Sequence, residues 1–397
     1  MLGLFYFTVC ITATLFAIPS VVLFVEMVSA LFLPDKKYPI DKNIDHSKIH
    51  FFVLIPAHNE ELVIGDTLDS LIDKMHTHSN ILVVADNCSD STEMIAKSKG
   101  VQVIARHSRD CFGKGYALDF GIKYLDKFDV DAVLIFDADC TFMEGGIEHL
   151  ISLSCSYNLP VQGRYLMESA GDLASVKSKI SEFAFLIKNH VRPKGLKNLG
   201  LPCLLTGSGM LIPFKLLKKS RVATGNIVED MQLGIDFVKQ DLGAIYCDRV
   251  KIVSRLPKSK TSMKAQKARW EHGHFNMIKK FVPDLIKKSI LKKSITLLVS
   301  ALDLGVPPLS FYFCMLFVLL VAGVCFLVVA ESLILFVLLS YPFLLLLTSF
   351  ALGCLGFGTK IINVKLILGI PLYILWKMPL YISYVLKPVV TWNKTKR

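Results

Sequence analysis

Three hydrophobic patterns divide the chain. The first is an unbroken apolar block from about Leu2 to Leu33. About 20 helical residues cross a bilayer's hydrocarbon layer, so residues 1–33 are expected to form one transmembrane helix, with Pro19 as a kink and Glu26 near an interface. The block is too long for a signal-peptide core, and no small-residue cleavage site follows it. Lys36, Lys37, Lys42 and Lys48 come next, which places that end in the cytoplasm by the positive-inside rule. The second pattern fills residues 49–280. Short β-rich runs recur at Phe51–Pro56, Ile81–Ala85, Val101–Ala105 and Ala132–Phe136, with amphipathic stretches at Glu61–Met75 and Ser91–Lys99. This alternation predicts an α/β domain, a mostly parallel sheet with helices on both faces. Such sheets bind ligands at the carboxyl ends of their strands.

The third pattern is apolar again. Leu309–Ala330 and Leu333–Gly353 are each long enough to span, and together (309–353) they predict a helical hairpin. Before them, residues 281–308 mix lysines with Ile and Leu, as an amphipathic interfacial segment does. After them, Pro371, Lys377 and Pro379 interrupt an apolar stretch at 361–386. If that stretch spanned, the basic tail at 387–397 would face outward, so an interfacial or re-entrant segment is expected there.

Composition agrees with a soluble domain joined to membrane segments. The 397 residues are 53% hydrophobic and 20% charged, with a mean hydropathy of +0.50. That is too apolar for an ordinary soluble protein, and it excludes disorder. The net charge of +12 tracks membrane boundaries, which favours lipid headgroups over nucleic acid. Ten scattered cysteines without a CxxC pair argue against a disulfide framework or a zinc site and fit reduced thiols facing the cytosol.

The polar residues after each apolar run carry the chemistry. The first strand leaves through Pro56-Ala57-His58-Asn59-Glu60-Glu61, where Pro56 is expected to end the strand and Asn59 to cap a helix. The second runs into Asp86-Asn87-Cys88-Ser89-Asp90-Ser91. Asp86 is placed to accept a hydrogen bond from a nucleobase imide, and Asp90 or Ser91 caps the next helix. Gly113-Lys114-Gly115 combines close backbone approach with a point charge suited to phosphate, without the spacing of a P-loop. The fourth strand abuts Asp137-Ala138-Asp139. Strand alternation would put both carboxylates on one side, where a divalent cation bridging diphosphate oxygens would relieve their repulsion.

Further on, Thr206-Gly207-Ser208-Gly209 is a turn able to line an acceptor site. Glu229 and Asp230 open a helix, either as acids favoured in a first turn or with Asp230 as a general base. Gln266, Arg269 and Trp270 share a helix face, an aromatic platform beside groups that bind oxygens. His272 and His274 lack partners at zinc-ligand spacing. The segment Val161-Gln162-Gly163-Arg164-Tyr165 is expected to be one of the loops that set ligand specificity.

In order and spacing, the segments PxHNEE, DNxSD, GKGxAL, DAD, GSG, ED and QxxRW resemble family 2 glycosyltransferases, specifically membrane-integrated cellulose, hyaluronan and poly-N-acetylglucosamine synthases. The resemblance covers about residues 50–280 and the flanking membrane layout. It implies a GT-A fold, a nucleotide-binding α/β domain with a mixed sheet flanked by transmembrane helices. It assigns the nucleotide sugar to Pro56, His58, Glu60, Asp86, Lys114, Asp137 and Asp139, with Asp86 reading uracil and Asp139 on a Mg²⁺ or Mn²⁺ ion. Many relatives carry two acids where this chain has Ala85-Asp86. It assigns acceptor and diphosphate to Gly207, Ser208, Glu229, Gln266, Arg269 and Trp270, and the catalytic base to Asp230.

The resemblance implies inverting transfer from a UDP-sugar to a growing polysaccharide, by a multi-pass enzyme of the plasma or inner membrane with its catalytic domain in the cytoplasm. The small membrane region implies an accessory export subunit or oligomerisation. Single-sugar transfer to a lipid or polyprenyl-linked acceptor is the alternative, and a non-catalytic membrane scaffold the other class. Membrane lipid is an expected partner; nucleic acid is not.

Overall fold

The computed structural model describes residues 2–41, 44–75, 80–169, 175–256 and 260–386. The basic tail at 387–397 lies outside the described residues. The chain forms two compact units that do not follow the hydropathy blocks. One is built from Lys36–Leu173 and Leu201–Gly273. The other gathers Met1–Asp35, Ala174–Gly200 and the described residues from His274 onward.

The first unit is organised by one eight-stranded sheet. Its strands are β1 (Phe51–Ala57), β2 (Ile81–Asp86), β3 (Gln102–Arg106), β4 (Ala132–Ile135), β5 (Cys140–Glu144), β6 (Val161–Glu168), β7 (Met210–Pro213) and β8 (Ile245–Arg255). The order is β3-β2-β1-β4-β7-β6-β8-β5. β3, β2, β1 and β4 run parallel, β7 is antiparallel to both neighbours, β6 and β8 are parallel, and β5 is an antiparallel edge. This is a mixed, mostly parallel sheet of GT-A-like design.

β2 and β4 are buried along their whole length. That explains why they read as continuous Val/Ile/Leu runs instead of alternating ones. The helices of this unit are α2 (Ile64–Met75), α3 (Thr92–Ser98), α4 (Lys114–Leu125), α5 (Ile147–Tyr157), α8 (Phe214–Lys219) and α9 (Glu229–Val238), with the first part of α10 (Lys260–Lys292). Leu118, Ile122 and Leu125 of α4 join Phe52, Leu54, Leu82, Val84 and Val133 in the core on one sheet face.

Two expectations at the first strand are corrected. Pro56 does not end β1, which continues to Ala57 with Pro56 in register with Val84. Asn59 does not cap α2, which begins at Ile64. Asn59 has φ +54° and its carboxamide oxygen accepts from the Ser89 amide at 2.7 Å, tying the two loops after β1 and β2 together. At α3, Asp90 accepts from the Thr92 amide (3.0 Å) and hydroxyl (2.6 Å), whereas Ser91 makes no side-chain cap bond. The segment 161–165 is part of strand β6, not a loop.

The second unit is helical: α1 (Leu2–Phe32), α6 (Val176–Leu186), a π-helical turn at Ile187–Val191, α7 (Arg192–Asn198), the remainder of α10, α11 (Ile295–Leu304), α12 (Leu309–Ala330), α13 (Leu333–Gly356) and α14 (Val364–Leu386). Among the described residues, four helices are long and apolar enough to cross a membrane, at Tyr6–Phe32, Leu309–Ala330, Leu333–Gly356 and Val364–Leu386. Residues 361–386 thus include a continuous helix that holds Pro371 and Pro379. Four such helices mark a multi-pass membrane protein.

Glu26 is one of the few buried charged groups among the described residues of this unit. It accepts from Arg192 Nε at 2.6 Å, while Arg192 also pairs with the Asp303 carboxylate and donates to the Asp303 carbonyl at 2.8 Å. Gly195 allows α7 to approach α1 here, since a Cβ would meet the Glu26 carbonyl oxygen at 2.2 Å.

Candidate active site

The carboxyl ends of β1, β2 and β4 meet two groups of site residues. The first surrounds Asp86. Its carboxylate, 7% exposed, pairs with the Arg106 guanidinium at 2.5 Å, and its carbonyl oxygen is 2.6 Å from His58 Nδ1. Arg106 ends β3, in register with Asp86, and is fixed further by the Cys111 carbonyl (2.9 Å) and the Tyr116 ring (5.7 Å). Burial raises the Asp86 carboxyl above its ordinary pKa, against the opposing pull of Arg106. Glu60 belongs to the same loops, its amide donating to Thr92 Oγ1 at 2.7 Å. Sequence reasoning missed Arg106. Its only signal was an arginine at the end of a strand beside one ending in an acid.

The second group surrounds Lys114. Its ammonium lies 2.5 Å from Asp137 Oδ1 and 3.9 Å from Glu229 Oε1, and donates to the Gly207 carbonyl at 2.6 Å. Asp230 closes the group: a Cβ on Gly207 would lie 3.1 Å from Asp230 Oδ2, 3.7 Å from Lys114 Nζ and 3.9 Å from Asp137 Oδ2. Glycine is favoured at 207 by its φ of +97°, and a Cβ there would press on the Asp230 carboxylate. Ser208 Oγ accepts from the Asp137 amide at 3.1 Å.

The two glycines beside Lys114 have separate reasons. Gly113 precedes α4 with φ +121°. Gly115 lets the helix start approach the 222–229 segment, because a Cβ there would lie 2.4 Å from the Val222 carbonyl oxygen and 3.6 Å from Glu229 Cβ.

Asp137 and Asp139 converge through a turn and not through strand alternation. β4 ends at Ile135, and the Cys140 amide donates to the Asp137 carbonyl at 3.1 Å. Thr67 Oγ1 of α2 holds the Ala138 carbonyl at 2.8 Å. Ligand atoms of Asp137, Asp139 and Cys140 lie within 4.8 Å of one another.

Burial raises Asp137 and Asp139 adds to the effect, while Lys114 opposes it. Glu229 is pushed up to about 7, mainly by burial, with Lys114 lowering it and Asp230 raising it. Burial alone would lower Lys114, but Asp137, Glu229 and Asp230 outweigh it and hold the ammonium protonated. One ammonium among Asp137, Asp139, Glu229 and Asp230 leaves an excess of carboxylate oxygens. Such hard donors suit a divalent cation. Burial keeps the Cys140 thiol protonated, so the two aspartates are the fitting ligands.

Glu229 and Asp230 occupy the first turn of α9. Gln266, Arg269 and Trp270 lie on α10, with Gln266 buried and Arg269 and Trp270 partly exposed. Gly273, one turn on from Trp270, brings α10 against the start of α9: a Cβ there would lie 2.8 Å from Val228 Cγ1. Gln162, expected in a specificity loop, instead has a bracing role on β6. It is 1% exposed, its amide nitrogen donates to the Ser208 carbonyl (2.9 Å) and its oxygen accepts from the Thr206 amide (2.9 Å), which braces the 206–208 turn from β6.

Residues 52–218 match the model for glycosyl transferase family 2. The match includes Asp86, Lys114, Asp137, Asp139, Gly207 and Ser208 and ends before Glu229. An uncharacterized protein of Methanocaldococcus jannaschii is 35% identical over 122 residues, 30% of this chain and 49% of that protein. Glucomannan 4-beta-mannosyltransferase 7 of Arabidopsis thaliana is 26% identical over 254 residues, 59% of this chain and 44% of the relative. The chain thus spans about half, or less, of the length of these curated relatives. Among solved structures, a mannosyltransferase from Pyrobaculum calidifontis in complex with GDP-Man and Mn²⁺ aligns over 86% of this chain and 98% of its own, with a TM-score of 0.50 at 14% identity. That likeness concerns the fold. Residues 52–218 thus resemble a family 2 glycosyltransferase domain, and the fold of the chain is GT-A-like.

Proposed function

We propose that this enzyme transfers a sugar from a nucleotide-diphosphate donor to a growing cell-surface polysaccharide, with inversion, from the cytoplasmic face of the membrane. The observation that carries the reading is the convergence of Lys114, Asp137, Glu229 and Asp230 around Gly207. Asp230 takes the proton of an acceptor hydroxyl. The oxygen forms a bond to the anomeric carbon, the bond from that carbon to the diphosphate oxygen breaks, and its electron pair leaves with the diphosphate. Lys114 holds a positive charge where negative charge grows. Asp137 and Asp139 would hold a Mg²⁺ or Mn²⁺ ion, which supplies charge neutralisation to the diphosphate. Gln266, Arg269 and Trp270 would bind the acceptor sugar and diphosphate.

Asp86 is the base-reading group. Its carboxylate accepts a ring N–H, which uracil presents at N3 and guanine at N1, and a UDP-sugar is the first reading. The relatives named as mannosyltransferases, one of them solved with GDP-Man, favour adding GDP-mannose as a second. The glucomannan in the name of the Arabidopsis relative favours a polymer over a glycolipid. Purified protein in nanodiscs, offered a panel of UDP- and GDP-sugars with Mg²⁺ or Mn²⁺, is expected to release one nucleoside diphosphate and to form a product that grows with time. A product fixed at one added sugar on a lipid would replace polymer synthesis with the glycolipid alternative. No release from any donor with acceptor supplied would support the scaffold reading instead.

A further inference from the structure

The second half of α10 carries a surface that sugar transfer does not use. Between residues 274 and 294 there are six lysines, Lys279, Lys280, Lys287, Lys288, Lys292 and Lys293, and one acid, Asp284. Met277, Phe281, Leu285 and Ser289, spaced by four, form the buried face within the helical unit. The outward face mixes Lys279, Lys280 and Lys287 with Ile286, Ile290 and Leu291. Ile290 and Leu291 are 71% and 72% exposed. Ile295, at the start of α11, continues the apolar exposure, and Lys288 pairs with Asp284 at 3.1 Å.

Water does not account for outward isoleucines, and a nucleic-acid surface does not call for them. A lipid interface accounts for both residue types: the apolar side chains enter the acyl boundary while lysine stems lie along it and their ammonium groups reach phosphates. We propose that the α10 surface around Lys279, Lys280, Lys287, Ile290 and Leu291 binds the anionic headgroups of one membrane leaflet, and that the enzyme selects acidic over zwitterionic phospholipid there. The inference rests on the membrane reading and does not depend on the donor, acceptor or reaction.

The test therefore reads lipid and not catalysis. Full-length protein in mild detergent is titrated with equal phosphatidylglycerol and phosphatidylcholine, and retained lipids are counted by native mass spectrometry. Preferential retention of phosphatidylglycerol is expected. Replacing Lys279, Lys280 and Lys287 together by Gln should lower that preference about tenfold or more, since each lysine near an anionic surface contributes measurably. Replacing the same three by Arg should restore it. The single changes Lys279→Gln and Lys287→Gln, each expected to lower it about threefold, serve if the triple Gln variant does not fold.

Three exposed lysines of the sheet unit, Lys97, Lys123 and Lys218, changed together to Gln, should leave the preference intact. The proposal is overturned if the α10 variants keep the wild-type preference or if the control loses it equally. It is also overturned if a short oligonucleotide is retained in place of acidic lipid and lost in the same variant.

Discussion

At the residue scale, Asp139 and Glu229 have separable jobs. Asp139 lies in the carboxylate pair fitted to a cation, so Asp139→Ala is expected to remove the Mn²⁺ dependence of nucleotide binding. Calorimetric titration with and without Mn²⁺ measures this; an affinity that still rises with the ion would remove Asp139 as a ligand. Glu229 gives a pH effect on stability. Its folded-state pKa of about 7 stands above the ordinary carboxylate value, chiefly through burial. Between pH 4.5 and 7 the folded protein therefore holds a proton that the unfolded chain has released, and stability falls as pH rises through that window. Glu229→Gln should flatten that fall, read as a smaller difference between thermal midpoints at pH 5 and pH 8. An unchanged difference would show that Glu229 is ionised throughout.

Much of this group was legible in the sequence because acids abutting apolar runs advertise strand ends. Arg106 and Gln162 were not. Each acts across the sheet on a neighbour distant in sequence, Arg106 on Asp86 and Gln162 on Ser208, and only strand order brings them there.

At the element scale, glycines set how closely helices approach the site. Gly115→Ala would drive a methyl group into the Val222 carbonyl oxygen. The start of α4 must then shift and carry Lys114 with it, at a cost of about 1–3 kcal/mol. Transfer is expected to fall at least tenfold, with a smaller loss of folded protein; near-normal turnover would mean that Lys114 tolerates displacement. In the helical unit, Arg192 joins α7 to Glu26 of α1 and Asp303 of α11. Removing one partner of a buried charge group costs about 3–5 kcal/mol because it strands the others. Arg192→Leu should therefore lower the thermal midpoint sharply and reduce yield, whereas Lys218→Leu, at a surface pair, should do neither.

The first four strands were readable from their Val/Ile-rich runs. β6 and β7 were not: β7 is only four residues long, and each pairs with a strand that is not its neighbour in sequence, β7 with β4 and β6 with β8. The π-helical turn at Ile187–Val191 likewise has no local sequence signal.

At the scale of the whole molecule, hydropathy revealed the apolar helices but not the composition of the two units. Residues 174–200 carry no spanning pattern, yet they belong with the membrane helices. Their Arg192 and Lys197 find acids in Glu26, Asp303 and Asp35, pairings that no local pattern announces. The central claim is that the Lys114, Asp137, Glu229 and Asp230 group performs the transfer. The most direct test compares wild type with Asp230→Asn in nanodiscs, measuring single-turnover release of nucleoside diphosphate alongside nucleotide affinity. A loss of about 10²–10⁴-fold in transfer is expected, with affinity nearly unchanged. Turnover at the wild-type rate by Asp230→Asn would contradict that claim.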